Sequence, residues 1–193
     1  MRVLGISGSL RRESHNTKLL RVAGEMFEAD GVEFEIYEGL KLVPPYDEDD
    51  DRDPAPAAVA RLRQAVAGAD AVFFSTPEYN ASIPGQLKNA IDWLSRPIGS
   101  SALTNKPVAV IGASTGMFGA VWAQAELRKS LATAGARVVE GEVPVGHAHT
   151  RFDEDGGLND PNIAEQVRDV VDTLTGAADT AHEAEMRREA VAA

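Results

Sequence analysis

Apolar residues occur in this chain in short continuous runs that alternate with longer stretches of helical spacing. Three runs, residues 2–6, 71–74 and 107–112, contain almost no polar side chains, which is typical of parallel strands buried on both faces. A fourth segment, Val32–Tyr37, alternates apolar and acidic residues with the period of two that a half-exposed edge strand requires. Residues Arg137–Glu140 are predicted to form a fifth strand.

Between these runs, apolar residues recur at every third or fourth position, which predicts amphipathic helices. The predicted helices are residues 16–29, 55–67, 116–135 and 162–174, together with one that begins at Pro84 or Gly85. A long connection passes through Pro44-Pro45 and the acidic block Asp47–Asp53. We predict that this connection is a surface loop rather than a domain linker.

Five strands that alternate with five helices predict a parallel sheet covered by helices on both faces. Right-handed crossovers favour the strand order 2-1-3-4-5, so we predict a flavodoxin-like α/β fold, a three-layer sandwich. Residues 1–175 are predicted to form a single domain. Residues 176–193 are rich in Ala, Glu and Arg and are predicted to be a C-terminal helical extension or a frayed tail.

Composition narrows the choice of compartment and partner. The 193 residues carry a formal net charge of −11 and no concentrated run of Lys or Arg, which argues against a nucleic-acid partner. The absence of cysteine excludes disulfides, thiolate metal ligands and cysteine catalysis. No apolar run approaches the roughly 20 residues that span a bilayer, and the first residues lead into a strand without a signal-peptide core. We therefore expect a cytoplasmic protein with no membrane partner.

Two polar loops follow the first and third predicted strands, whose carboxyl ends meet at the switch point of this fold, where open α/β sheets bind ligands. The first loop, residues 8–17, precedes a helix and offers several hydrogen-bond donors and cations. These are Ser9, Ser14, Asn16, Thr17 and either Arg11 or Arg12. With the positive end of the helix, they suit a phosphate monoester. The alternative interpretation is an N-cap followed by an exposed turn.

The second loop, between residues 75 and 85, brings Glu78, Tyr79, Asn80 and Ser82 to the same edge of the sheet. This loop offers backbone N–H groups and a tyrosine and carries few charges, which suits a flat heteroaromatic ligand. A third loop, Gly112–Gly119, consists mainly of small residues that allow a ligand to approach the backbone.

For several single residues, a packing, capping or solvent-exposed role is favoured over a role in ligand binding or catalysis. Phe118 and Trp122 are predicted to be packing residues rather than ligand contacts. Glu78 is interpreted as a capping or hydrogen-bonding group, because no partner base accompanies it, and no catalytic residue is predicted. His147 and His149 lack a third ligand at a familiar spacing, so we predict exposed histidines and no metal site. The chain also lacks the G-x-G-x-x-G and P-loop fingerprints, which disfavours a Rossmann dinucleotide site and a nucleoside triphosphatase.

Two stretches resemble the NADPH-dependent FMN reductases, a family that includes bacterial quinone, chromate and azo-dye reductases. The first is Gly8-Ser9-Leu10-Arg11 followed by Ser14 and Asn16, which is similar to the family's FMN-phosphate loop. The second begins with Pro77-Glu78-Tyr79-Asn80, continues through Ser82 and Pro84-Gly85, and ends in the segment 87–93; it is similar to the family's flavin-ring loop and helix. With the turn at residues 112–116, the resemblance covers roughly residues 1–140.

The resemblance implies a role for each matching position. The FMN phosphate would be held by Ser9, Arg11, Ser14 and Asn16. The isoalloxazine ring would be lined by Pro77, Glu78, Tyr79 and Asn80, and approached from the fourth strand by Ser114 and Gly116. The implied cofactor is FMN, the implied co-substrate is NADPH or NADH, and the implied assembly is a homodimer or homotetramer with the flavin near a subunit boundary.

The implied activity is ping-pong hydride transfer from NAD(P)H through FMN to a small-molecule acceptor, such as a quinone or a free flavin. Two other functions stay open from the sequence. A flavodoxin-type FMN electron carrier would suit the acidic surface, although the ring loop resembles that of a reductase. An α/β regulatory or interaction module would bind no flavin at all.

Overall fold

Strands and helices alternate along most of the chain. The computed structural model describes the backbone of residues 1–192 and their side chains except those of residues 185, 188, 189, 191 and 192. The strands are β1 Arg2–Ser7, β2 Glu33–Ile36, β3 Ala71–Thr76, β4 Pro107–Ala113, β5 Arg137–Val138 and β6 Pro144–Val145. The α-helices are α1 His15–Ala29, α2 Ala57–Ala67, α3 Gly85–Leu94, α4 Val121–Thr133 and α5 Pro161–Ala192. Short 3-10 turns occur at Leu40–Leu42, Glu48–Asp50 and Ala148–Thr150.

The strands form one parallel sheet in the order β2-β1-β3-β4-β5. Its register places Val3 opposite Ala71 and Val72 opposite Val108. Strands β3 and β4 are buried along their whole length, whereas β2 alternates exposed and half-buried residues at one edge. The predicted order and the predicted edge strand are therefore confirmed.

Each face of the sheet has its own apolar core because successive side chains of a strand point to opposite faces. Phe74 packs in a cluster with apolar residues of α2, α3 and α4. Its neighbour Phe73 packs in a second cluster with apolar residues of α1 and α5. Trp93 of α3 is completely buried in the first cluster. The sheet thus has helices on both faces, which is the predicted three-layer sandwich.

The predicted fifth strand is confirmed, but it is shorter than the predicted range Arg137–Glu140, and a sixth strand follows that was not predicted. Strand β5 has only two residues and pairs with the beginning of β4, where Arg137 lies opposite Pro107. A separate strand, β6, pairs with the end of β4, where Pro144 lies opposite Gly112. Between them Gly141 adopts a φ of 116°, a conformation that interrupts an extended strand. Because the extended conformation is interrupted between β5 and β6, the segment after β6 lies beside the loop that follows β4.

Two helices differ from their predicted bounds. Helix α4 begins at Val121 rather than at residue 116, because Gly119 and Ala120 both adopt left-handed conformations, with φ of 59° and 63°. Helix α5 starts where expected, with the side chain of Asp160 accepting a hydrogen bond from the Asn162 N–H at 3.1 Å. It then continues past Leu174 to Ala192, through the segment for which a helical extension or a frayed tail was predicted. No helix within residues 1–192 is both long and apolar enough to cross a membrane.

Candidate functional site

Three loops meet at the carboxyl edge of the sheet, after β1, β3 and β4. We call them the phosphate loop (residues 8–14), the ring loop (residues 77–84) and the third loop (residues 114–120). The backbone N–H of Gly8 donates to the carbonyl of Ser75 at 2.8 Å, which joins the phosphate loop to the end of β3. The parallel register of β1, β3 and β4 brings these strand ends to one rim.

The phosphate loop ends in a capped helix. The side chain of Ser14, which is buried, accepts a hydrogen bond from the Thr17 N–H at 3.2 Å and thereby caps α1. The N–H groups of His15 and Asn16 in the first turn have no hydrogen-bond partner within residues 1–192. Unpaired N–H groups and the helix dipole make such a terminus attractive to an anion.

A small hydroxyl network shapes the beginning of the phosphate loop. The Ser7 hydroxyl accepts a hydrogen bond from the Thr17 hydroxyl at 3.0 Å and from the Ser9 N–H at 3.3 Å. The Ser9 hydroxyl in turn accepts from the Arg11 N–H at 3.4 Å. Arg11 itself is exposed and forms no ion pair with another described residue, so its guanidinium is available to a ligand.

Asn16 differs from Ser9 and Arg11, two other residues to which the resemblance gives a phosphate role. Its side chain is buried, with 3% relative exposure. The side chain bonds to both backbone groups of Ala113 and to the hydroxyl of Ser75. The structure therefore places Asn16 beneath the loops, where it connects α1 to β3 and β4.

The ring loop is a tight hairpin. The N–H of Tyr79 donates to the carbonyl of Ser82 at 3.0 Å, and the N–H of Ser82 donates back at 3.1 Å. The two central residues, Asn80 and Ala81, have φ of 54° and 59°, as a type I′ turn requires. Pro77 is buried at the base of the hairpin, whereas the Tyr79 side chain is 53% exposed at its tip.

Glu78 connects the ring loop to α4. Its carboxylate accepts hydrogen bonds from the N–H groups of Trp122 at 3.0 Å and Ala123 at 3.1 Å. The residue preceding the helix, Ala120, has no side chain that could cap it. Glu78 thus satisfies two N–H groups in the first turn of α4, in agreement with its interpretation as a capping group.

The third loop is held against the segment that follows β6. The N–H of Ala148 donates to the Ser114 carbonyl, and the N–H of His147 donates to the Gly116 carbonyl, each at 3.0 Å. Within the loop, the Ser114 hydroxyl accepts from the Gly116 N–H at 3.1 Å. Sequence reasoning missed this support because it missed β6, whose two residues are too few for a periodic signal.

Basic groups surround the first turn of α1. Burial lowers the pKa of His15, and the positive charges of Arg11, Lys18 and His149 lower this pKa further. The His15 ring lies parallel to that of Phe152 at a centroid distance of 5.9 Å. This electrostatic environment disfavours a further cation and favours an anion.

Aromatic side chains lie at the outer side of the rim. The rings of Phe118 and Trp122 pack edge to face at 5.0 Å. Their exposed fractions are 54% and 49%, so within this chain they pack on each other and not in the core. Tyr79, directly after the capping Glu78, is exposed to a similar extent.

The two histidines of the His147-Ala148-His149 segment are exposed, and their ring centroids lie 6.4 Å apart. His147 adopts a left-handed conformation before the 3-10 turn, so the pair does not lie on a strand. Across the side chains that the structure describes, no group of three or more His, Asp or Glu residues could hold a metal ion.

A parallel sheet with an anion-attracting helix terminus and a hairpin loop at its switch point is the arrangement of a mononucleotide-binding α/β protein. Comparison with known proteins agrees with this class. Residues 1–150 match the sequence profile of the NADPH-dependent FMN reductases. The chain belongs to this family and is therefore an oxidoreductase.

Individual relatives align with most of the chain. An NAD(P)H-dependent FMN reductase of Pseudomonas aeruginosa is 39% identical over 175 residues, which is 90% of this chain and 93% of the relative. A quinone reductase of Pseudomonas putida is 40% identical over 156 residues, 80% of this chain and 83% of the relative. The solved structure of FerB, a flavoenzyme NAD(P)H:(acceptor) oxidoreductase from Paracoccus denitrificans, superimposes with a TM-score of 0.81 at 36% identity, covering 93% of this chain and 97% of FerB.

Proposed function

We propose that this protein binds FMN at the carboxyl rim of its sheet and uses it to transfer electrons from NAD(P)H to a small-molecule acceptor. The observation that carries the proposal is the junction between the phosphate loop and the ring loop, made by the Gly8 N–H and the Ser75 carbonyl at 2.8 Å. It brings an anion-attracting helix terminus beside a hairpin suited to a flat ring. Family membership and the NAD(P)H-dependent FMN reductase among its relatives support the choice of FMN.

The residues of the phosphate loop and of the first turn of α1 fit the phosphate group of FMN. The unpaired N–H groups of the first turn of α1 are donors that need an acceptor. The hydroxyls of Ser9 and Ser14 each already accept a hydrogen bond, so their hydrogens are available for donation to phosphate oxygens. Arg11 adds charge from the exposed side, and Asn16 supports the loop from beneath.

The residues of the ring loop and of the third loop fit the isoalloxazine ring of FMN. Pro77 and the hairpin of Tyr79 and Asn80 would border the isoalloxazine, with Glu78 holding this border to α4. Ser114 and Gly116 would approach the ring from the side of β4, on a loop that is fixed by its bonds to the segment after β6. When bound, FMN supplies the redox chemistry, and the chain positions it and limits access of solvent. No side chain of the protein is assigned as an acid or a base.

The acceptor is proposed to be a quinone or a related planar molecule. The exposed side chains of Tyr79, Phe118 and Trp122 offer aromatic surface beside the ring loop. Such surface stacks against planar aromatic molecules. Relatives named quinone reductase and 2-hydroxy-1,4-benzoquinone reductase support this choice, the second being 35% identical over 176 residues.

We also propose a homodimer or homotetramer in the cytoplasm. A groove of about 550 Å³ lies between α3 and α4, and the side chain of Ile98 at its border is 80% exposed. An exposed isoleucine beside a groove suits a contact with a second copy of the chain. The cytoplasm is proposed because it supplies NAD(P)H.

An absorbance titration of purified protein with FMN, followed by anaerobic mixing with NADPH or NADH, tests the proposed function. We expect saturable FMN binding and rapid bleaching of the flavin by the nicotinamide alone. Bleaching that required a separate reductase would instead indicate an electron carrier, and a protein that took up no FMN would be a module without flavin.

A further inference from the structure

The buried side chain of Asn16 makes hydrogen bonds to two strands far away in the sequence. Its Oδ1 accepts from the Ser75 hydroxyl and from the Ala113 N–H, each at 2.9 Å. Its Nδ2 donates to the Ala113 carbonyl, also at 2.9 Å. Since the Ala113 backbone presents one donor and one acceptor, the orientation of the Asn16 amide is fixed by its partners.

The positions of these partners are what give Asn16 its importance. Asn16 lies in the first turn of α1, directly after the phosphate loop. Ser75 lies near the end of β3, two residues before the ring loop begins. Ala113 is the last residue of β4, immediately before the third loop. One amide group therefore connects the supports of all three loops.

The hydrogen-bonding capacity of Asn16 is nearly used up by these contacts. An amide oxygen accepts two hydrogen bonds, and both are made; one of the two Nδ2 hydrogens is also bonded. Ser9 and Arg11, by contrast, lie on the accessible side of the loop.

We infer that Asn16 is a positioning residue for the whole cofactor site, which sets the distance between the phosphate loop and the loops that border the flavin ring. This inference rests on the proposed function. Removal of the amide leaves two backbone groups and one hydroxyl without buried partners, so the three loops lose their common support. Binding of the ring end then weakens along with binding of the phosphate end.

Riboflavin separates this role from that of a phosphate ligand, because it has the isoalloxazine ring of FMN but no phosphate. The experiment measures flavin-fluorescence titrations of the apoprotein with FMN and with riboflavin, in the wild type, Asn16→Ala and Arg11→Ala. We expect Asn16→Ala to weaken binding of both flavins by similar factors, at least about fivefold. Arg11→Ala should weaken FMN binding alone.

Visible circular dichroism of the flavin ring, measured on protein saturated with FMN, provides a second readout. It does not require that riboflavin binds measurably. Asn16→Ala should change the ring signal, and Arg11→Ala should leave it as in the wild type. Should Asn16→Ala fail to fold, Ser75→Ala, which removes only one of the three hydrogen bonds, should show the same pattern with smaller changes.

These measurements distinguish failure of the positioning role of Asn16 from failure of the proposed function. A loss confined to FMN with an unchanged ring signal, or no loss at all, would overturn the positioning role. A wild-type protein that bound neither flavin would instead overturn the proposed function.

Discussion

The carboxylate of Glu78 lies 3.0 Å from the backbone nitrogen of Trp122 and accepts its hydrogen bond. A residue of the ring loop thereby caps the helix that follows the third loop. The connection crosses from the end of β3 to the start of α4, between residues 44 positions apart. The ring loop and the helix that follows the third loop are therefore joined through one side chain.

Replacement of Glu78 should destabilise α4 and the ring loop together. Glu78→Ala removes the acceptor for two N–H groups and should lower the free energy of unfolding by about 1–2 kcal/mol. Glu78→Gln retains an acceptor oxygen and loses only the favourable charge at the helix terminus, so it should cost about 0.3–1 kcal/mol. Urea unfolding measures both values.

Glu142→Ala, at an exposed glutamate, is the matched control and should change stability little. Equal stability of wild type and Glu78→Ala would contradict the capping role.

The aromatic pair Phe118 and Trp122 should affect the KM only for electron acceptors that are aromatic or planar. Trp122→Ala removes a half-exposed ring and its edge-to-face contact with Phe118. We expect the KM for a benzoquinone to rise about two- to tenfold, the range expected for the loss of one aromatic contact. Steady-state kinetics with ferricyanide, an acceptor that does not stack, should give an unchanged KM. Trp122→Phe should retain most of the quinone affinity, and a parallel loss with ferricyanide would count against an aromatic acceptor surface.

Gly119 should not tolerate a side chain. Its φ is +59°, and a Cβ atom would lie 2.3 Å from the carbonyl carbon of Pro144 in β6. Gly119→Ala therefore has to push β6 away from the third loop and should cost at least about 1–3 kcal/mol. Gly176→Ala is the matched control, because it lies in α5 with no atom near the added methyl group, and it should stabilise by up to about 1 kcal/mol. Thermal unfolding of the two variants should shift in opposite directions.

The sheet could be predicted because its signals are local. Runs such as residues 71–74 are apolar throughout, and the whole of β3 proves to be buried. Strand β6 could not be predicted, since two residues that begin with a proline carry no periodicity. The late start of α4 was missed because alanine is a strong helix former, so Ala120 gives no sign of its left-handed conformation.

The loops of the candidate site could be located from sequence, but their connections could not. The polar composition of the ring loop is visible directly, and the asparagine at position 80 was a signal for its type I′ turn. The partners of Asn16 lie 59 and 97 residues away, and no local pattern shows which residue a buried amide will reach. Resemblance gave Asn16 a phosphate role, whereas its contacts show which strands it supports.

His15 should make the stability of the apoprotein depend on pH. Burial, followed by the charges of Arg11, Lys18 and His149, lowers the pKa of His15 in the folded protein. The unfolded chain takes up a proton near the ordinary histidine pKa of about 6.5, while folded His15 stays neutral to lower pH. The stabilising contribution is therefore fully present above about pH 6.5 and is lost as the pH falls through the lowered pKa.

His15→Gln removes this titration while keeping a polar side chain. Urea midpoints of wild type and His15→Gln, measured at pH 7.5, 6.5 and 5.5, should show a larger decrease for the wild type at acid pH. All other ionisable side chains are present in both proteins, so their effects cancel in the difference between them. A difference that stayed constant over this range, or that grew in favour of the wild type at pH 5.5, would mean that folded His15 is protonated at least as readily as in the unfolded chain. Neither burial nor the charges of Arg11 and Lys18 would then lower the pKa of His15 in the folded protein.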